Sequence, residues 1–183
     1  MTPVEPTPEG KVVAVCADPK HRFSKISFLS INLIAGHGVE GDAHAGPFVK
    51  HRYLARRDPR APNLRQVHLI AVDLFQGLKV AGFGVEPGDL GENITTAGIG
   101  LETLPLGTEL QIGGATLRLT GLRTPCVLID RFKSGLRARL IVPRSPPFRA
   151  GVMAIVTGEG IVVPGADIRA ILPQAPRRAL PAI

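Results

Sequence analysis

The sequence predicts a mostly β domain, a barrel or sandwich with a few short helices. Three observations carry this. The 183 residues include 21 glycines and 17 prolines, which cut the chain into short segments. Several of those segments are β-branched runs or alternate apolar with polar residues, the period of a strand. Helical spacing is short wherever it occurs, and no internal repeat is visible.

Taken in order, residues 1–10 are Pro-rich and polar and are expected to form a flexible arm. KVVAVCA (11–17) is a β-branched run, and SFLSINLIA (27–35) alternates in part. The basic, Pro-containing piece 47–64 has the composition of a surface insertion. RQVHLIAV (65–72) is a short apolar strand, and VDLFQGLKVAG (72–82) spaces Leu74, Leu78 and Ala81 as a short helix. The clearest element is 107–121. Leu110 and Ile112, then Leu117 and Leu119, alternate around Gly113-Gly114, a two-residue hairpin turn. CVLIDRFKSGLRARL (126–140) suits a second helix. VMAIVTGEGIVVPGADIRAIL (152–172) gives three strands separated by Gly-Glu-Gly and Pro-Gly turns. The tail 173–183 is expected to be flexible and basic, with Arg177 and Arg178 solvated.

Composition bounds the function. A hydrophobic fraction of 44 % suffices for a sizeable core, so no disulfide staple is needed. The two cysteines, Cys16 and Cys126, lie far apart and are expected to be thiols in a reducing compartment. No basic-then-apolar leader opens the chain, and no apolar run is long enough for a membrane span. A soluble, cytoplasmic protein is expected, without membrane partners. The net charge of +7 favours anionic partners. Aromatics are only 4 %, with no tryptophan, so the stacking platforms of single-stranded nucleic-acid binders are missing. A phosphate-bearing small molecule is preferred over nucleic acid.

Four motifs bear on chemistry. GHGVEG (36–41) matches the dinucleotide fingerprint G-x-G-x-x-G, but DAHAGP follows and no helix opens at the third glycine, so a Gly-rich turn is the reading. His37, Asp42 and His44 share that turn. Without thiolates or further histidines near by, a hydrogen-bonded loop histidine fits better than a metal ligand. GDLGENITTAG (88–98) places Glu92 and Asn93 among glycines that permit close backbone approach, although turn residues also bond their own backbone.

The fourth is TGLRTPCVLID (120–130). A cysteine in such a place can be a small apolar filler. Pro125 stiffens the approach to Cys126, and Arg123 lies three residues before it. A cation there would favour the thiolate, as would a helix start at VLIDRF. A thiolate is what a soft metal or persulfide chemistry requires. Cys16, inside VVAVCADP, reads as a core position.

GVEGDAHAG (38–46), RQVHLI (65–70), GDLGENITTAGIGLETLPLGTELQIGGATLRLTGLRTPC (88–126) and RAGVMAIVTGEGIVVPGADI (149–168) together resemble the molybdenum cofactor sulfurase C-terminal (MOSC) domain family, small stand-alone bacterial type. The resemblance runs over most of residues 11–172. It implies a MOSC-type β-barrel with a few short helices. It implies that Cys126 is the family's cysteine, a ligand to molybdenum in the pyranopterin cofactor or a persulfide carrier. Glu92 and Asn93, with His44, Arg65 and His68, would line the cofactor site. Arg123 and Arg149 are expected at the cofactor phosphate, where the guanidinium fork suits a bidentate contact. The activity implied is reduction of an N-hydroxylated small molecule. The 47–64 insertion departs from the aromatic-containing segment of some active relatives, which leaves the substrate open.

No ferredoxin-like cysteine cluster is present, so electrons would come from a separate donor protein. No aminotransferase-like region precedes the matching stretch, so sulfur would come from a sulfur-donor protein. Two other roles stay open. In one, Cys126 carries sulfane sulfur for metal–sulfur cofactor assembly. In the other, the chain is a basic nucleic-acid-binding module, which would bind with a steep salt dependence.

Overall fold

The computed structural model describes residues 7–50 and 52–183. The elements run β1 (Glu9–Ala17), β2 (Ile26–Phe28), β3 (Ile31–Ile34), β4 (Gly38–Val39), α1 (Arg52–Arg57), β5 (Val67–Ala71), α2 (Val72–Val80), β6 (Ile94–Ala97), β7 (Glu109–Ile112), β8 (Ala115–Leu122), α3 (Leu128–Phe132), α4 (Leu136–Arg139), β9 (Val152–Gly158), β10 (Gly160–Val162) and β11 (Asp167–Ile171). The mostly β expectation holds.

Seven strands close into a barrel in the order β1-β11-β7-β8-β9-β5-β6 and back to β1. The nine-residue β1 makes closure possible. Its start pairs with β11 (Glu9↔Arg169), its later residues pair with β6 (Val15↔Ile94), and its end carries β2 outside the ring (Val15↔Phe28). A bulge between Val12 and Ala14 bends it between partners. β5 and β6 are parallel, so the chain must cross over between them. α2 makes that crossover, burying Leu74, Phe75 and Leu78. A small sheet, β10-β3-β4, contributes Leu33, Val39 and Val162 to the barrel core.

β5 shows how the barrel sorts its residues. Val67 and Leu69 enter the interior with Leu110, Leu117 and Val152. Ile70 instead joins a second cluster with Leu74, Leu78, Ile129, Leu136 and Leu140. The barrel therefore has an apolar interior, and its outer wall is covered by helices. Each fully buried Leu or Ile contributes about 2 kcal/mol of transfer free energy to either cluster.

Several boundaries differ from the sequence reading. β1 begins at Glu9, inside the stretch expected to be an arm, and residues 1–6 lie outside the described residues. The 27–35 run divides at Leu29-Ser30 into β2 and β3. The expected 126–140 helix breaks at Gly135, whose φ of +82° needs glycine, into α3 and α4. The 47–64 segment has a tied base, with the Val49 N–H donating to Ala61 O (2.9 Å) and the Asn63 N–H to Pro47 O (2.9 Å). It also contains α1.

The tail differs most. Residues 180–183 are docked along the end of β8. Leu180 is buried in the barrel core, the Leu122 N–H donates to Pro181 O (2.7 Å), and the Ile183 N–H donates to Leu122 O (3.0 Å). Gly121 allows this approach, because a Cβ there would meet Pro181 O at 2.7 Å.

Candidate functional site

The polar side chains gather outside the barrel wall, where the 18–25 loop, the 37–46 turn and the segment before β6 meet β1 and β5. Asp42 is the hub. Its Oδ2 forms an ion pair with Lys25 Nζ at 2.7 Å, with side chains only 0 % and 3 % exposed. The same oxygen accepts from the Asp18 N–H (3.1 Å) and from Asn93 Nδ2 (3.2 Å), while Oδ1 accepts from the His44 N–H (2.9 Å). Burial alone would raise the Asp42 pKa, but His44 and the Lys25 ammonium outweigh it and hold the carboxyl far below the usual range. Burial drives Lys25 the other way, downward, against the pull of Asp42.

Asn93 ties this hub to the barrel. Its Nδ2 also donates to Cys16 O (3.1 Å), its Oδ1 accepts from the His68 N–H (3.1 Å), and its own N–H donates to His68 O (2.8 Å). The side chain expected to line a site is thus the clamp between β1 and β5. His68 Nε2 lies 2.8 Å from Ala150 O. A carbonyl only accepts, so Nε2 carries the proton. Burial, reinforced by the Arg123 charge, pushes the His68 pKa well below the ordinary imidazole value, and the ring is neutral.

Glu92 is completely buried. Oε1 accepts from the Gly88 N–H (2.5 Å) and from Thr95 Oγ1 (3.2 Å), while Oε2 is buried with no hydrogen-bond partner. Burial raises its pKa, which favours the protonated acid. Gly88 is required here: at φ +92° a Cβ would also meet Lys25 O at 2.5 Å.

Cys126 follows Pro125 at the end of this layer. It is half-buried against the outer hydrophobic cluster and is a free thiol. Three contacts fix its backbone. Arg137 Nε donates to Pro125 O (3.0 Å), the Ile129 N–H donates to Cys126 O (3.2 Å), and the Arg123 N–H donates to Gly151 O (3.0 Å). α3 has only five residues, too short to offer the expected helix-dipole assistance. The cationic environment comes instead from side chains. Arg65 and Arg123 both lie within electrostatic range of the Cys126 sulfur. Arg123 is 8 % exposed, and its Nη1 is buried without a hydrogen-bond partner.

Of the residues singled out from sequence, the structure brings Arg65, His68, Glu92, Asn93, Arg123 and Cys126 into one connected neighbourhood. His44 joins at its edge, with Nδ1 3.4 Å from Asp42 Oδ1 and its ring edge-on to His21. Arg149 stands apart. It is exposed, its N–H donates to Leu140 O, and its electrostatic partner is Glu102. Sequence reading missed Lys25, although a lysine beside an apolar strand is an available signal. It also missed Asn63, whose Nδ2 donates to His44 O (2.9 Å) and Gly46 O (3.0 Å) and whose Oδ1 accepts from the Arg65 N–H (3.0 Å). Beside the cluster a groove of 520 Å³ opens between the 18–26 segment and α3, with Lys25 in its lining.

Fold and polar layer together define a MOSC barrel, and the chain belongs to the MOSC domain family, whose model matches residues 58–169. Among solved structures, the YuaD protein from Bacillus subtilis is similar over 92 % of this chain and 99 % of its own, at 21 % identity and a TM-score of 0.76. YiiM from Escherichia coli is similar over 94 % of this chain and 72 % of its own, at 18 % identity and a TM-score of 0.61. YiiM from Geobacillus stearothermophilus is similar over 94 % and 80 %, at 16 % identity and a TM-score of 0.61. At these identities the likeness shows the fold. No curated protein matches the chain in sequence.

Proposed function

We propose that the protein binds molybdenum cofactor with Cys126 as the protein ligand to the metal, and that the loaded protein reduces an N-hydroxylated small molecule. The observation that carries this reading is the half-buried Cys126 thiol beside two guanidinium groups, with Arg123 Nη1 and Glu92 Oε2 buried and unpaired behind it. A buried unpaired donor costs about 1–3 kcal/mol unless something fills it.

The donor set suits such a group. Among the described residues no three His, Cys, Asp or Glu side chains gather as a metal cluster. A metal held by Cys126 would therefore bring its other ligands with it, as a cofactor-borne metal does. The thiolate is soft, as molybdenum coordination by sulfur requires. Arg65 and Arg123 would hold anionic oxygens. Cofactor chemistry supplies the electron transfer.

The chain's own residues do the rest. The two arginines place positive charge within electrostatic range of the Cys126 sulfur. Neutral His68 is locked by Ala150, and burial raises the pKa of Glu92. Cleaving an N–O bond to amine and water consumes two electrons and two protons. The electrons come from a separate donor protein, and the protons from solvent through the open side of Cys126.

A specific observation also favours the sulfur-carrier reading. Cys126 is the accessible thiol, while Cys16 is sealed at 0 % exposure, so a persulfide on Cys126 meets no resolving thiol among the described residues. One preparation separates the two. Purified from a host that makes the cofactor, the wild type is expected to carry molybdenum and pterin, and Cys126→Ser to lack both. Absence of molybdenum from the wild type, with a labile persulfide adduct on Cys126 by intact mass, would transfer the assignment to the carrier.

A further inference from the structure

The 520 Å³ groove beside the cluster is lined by Asp18, Arg22, Phe23, Ser24, Lys25, Ile26, Leu128, Arg131 and Phe132, and does not include Cys126. Its walls are mainly apolar. Phe23 and Phe132 meet at 5.4 Å between ring centroids, tilted by 38°, and present ring surface with Leu128 and Ile26. The volume falls in the range of small-molecule sites.

Charge accounting then narrows the ligand. Asp18 is neutralised by Arg22, with Nη2 to Oδ2 at 2.7 Å. Lys25 is neutralised by Asp42. Arg131 is left over. It is exposed on α3, and its side chain makes no hydrogen bond or ion pair among the described residues. An apolar groove with aromatic walls and one uncompensated guanidinium suits a flat ring carrying a single negative charge. Arg is suited to both parts, since its plane stacks on rings and its fork matches a carboxylate.

We infer that this groove binds an aromatic monoanion, with the ring against Phe23, Phe132 and Leu128 and the anionic group on Arg131. α3 links Arg131 to the Cys126 segment, so the groove would hold the substrate beside the metal ligand. Only that last clause rests on the proposed cofactor function, because binding itself needs no cofactor.

The test uses the full chain without cofactor and three probes: 2-naphthoate, its neutral amide, and cyclohexanecarboxylate. Binding is read by calorimetry. Naphthoate is expected to bind about tenfold tighter than naphthamide, the gain of one charge-assisted contact. It is also expected to bind more tightly than the non-aromatic acid. Arg131→Gln, on the surface, should erase the preference for the acid over the amide while leaving the thermal midpoint unchanged. Phe132→Leu should weaken both naphthyl probes alike. Equal affinity for acid and amide in the wild type, or a preference that survives Arg131→Gln, would overturn the proposal. Neither result depends on whether Cys126 binds molybdenum.

Discussion

β5 faces two environments that differ in almost every physical respect. Inward, Val67 and Leu69 join the apolar cluster of the barrel. Outward, Ile70 lies under the helices and His68 sits in a layer of buried charge and unpaired polar atoms. One peptide unit separates a region of apolar packing from a region of buried charge. The inner face accounts for the stability of the barrel. The outer layer is stabilised only as long as each charge keeps its partner, so the two faces should respond to substitution in different ways.

The largest effect is expected from unpairing the hub. Lys25→Met leaves the Asp42 carboxylate buried beside no cation, which costs about 3–5 kcal/mol. For a chain of this size that lowers the thermal midpoint by roughly 10 °C. The double variant Lys25→Met/Asp42→Asn should recover much of the loss, because no naked charge remains. A double variant no more stable than the single one would show that packing, not charge, decides the outer layer.

Leu69→Ala tests the inner face. The residue is fully buried, and the cavity should cost about 2–5 kcal/mol. Here no second substitution among polar residues should rescue it, and denaturant midpoints of the pair Leu69→Ala and Leu69→Ala/Asp42→Asn would check that.

A smaller effect is expected from pH. Unfolded, His68 gains a proton near pH 6.5; folded, its pKa lies well below that. As pH falls below about 6.5 the unfolded chain binds the extra proton first, so stability drops towards pH 5. Glu92, with its pKa raised, acts in the opposite sense, its contribution being fully present below about 4.5 and lost as pH rises. Comparing the wild type with His68→Gln isolates the histidine, and the variant should lose less stability between pH 7 and 5. Parallel pH profiles for the two proteins would contradict a buried neutral imidazole. The smallest effect belongs to the exposed Lys11–Asp167 pair, 2.5 Å apart and in water, whose removal by Lys11→Ala should leave the midpoint unchanged.

Much of the inner face was legible in the sequence, because alternation is local. Leu110, Ile112, Leu117 and Leu119 announce the β7–β8 hairpin within a dozen residues, and Gly113-Gly114 marks its turn. β6 was hidden in GENITTAG because its threonines are buried on both faces and the four residues do not alternate apolar with polar. Several residues of the polar layer could be singled out from the sequence, but not their wiring. Asp42 was noticed as a possible ligand, yet its partner Lys25 lies 17 residues away and Asn93 lies 51 away, distances that no local pattern encodes. Pro-rich, polar composition concealed the docked tail, where one leucine, Leu180, and backbone hydrogen bonds to β8 outweigh the flexible look of its neighbours.

The two cysteines offer the most direct test of the central claim, since they share a chain and differ in setting. Cys16 is sealed on β1 beside Ser27, whereas Cys126 is half-open beside two arginines. Molybdenum per chain would be measured for the wild type, Cys16→Ser and Cys126→Ser, all purified from a host that makes the cofactor. Near-stoichiometric metal is expected in the first two and loss in the third. Equal molybdenum in all three would contradict Cys126 as the metal ligand.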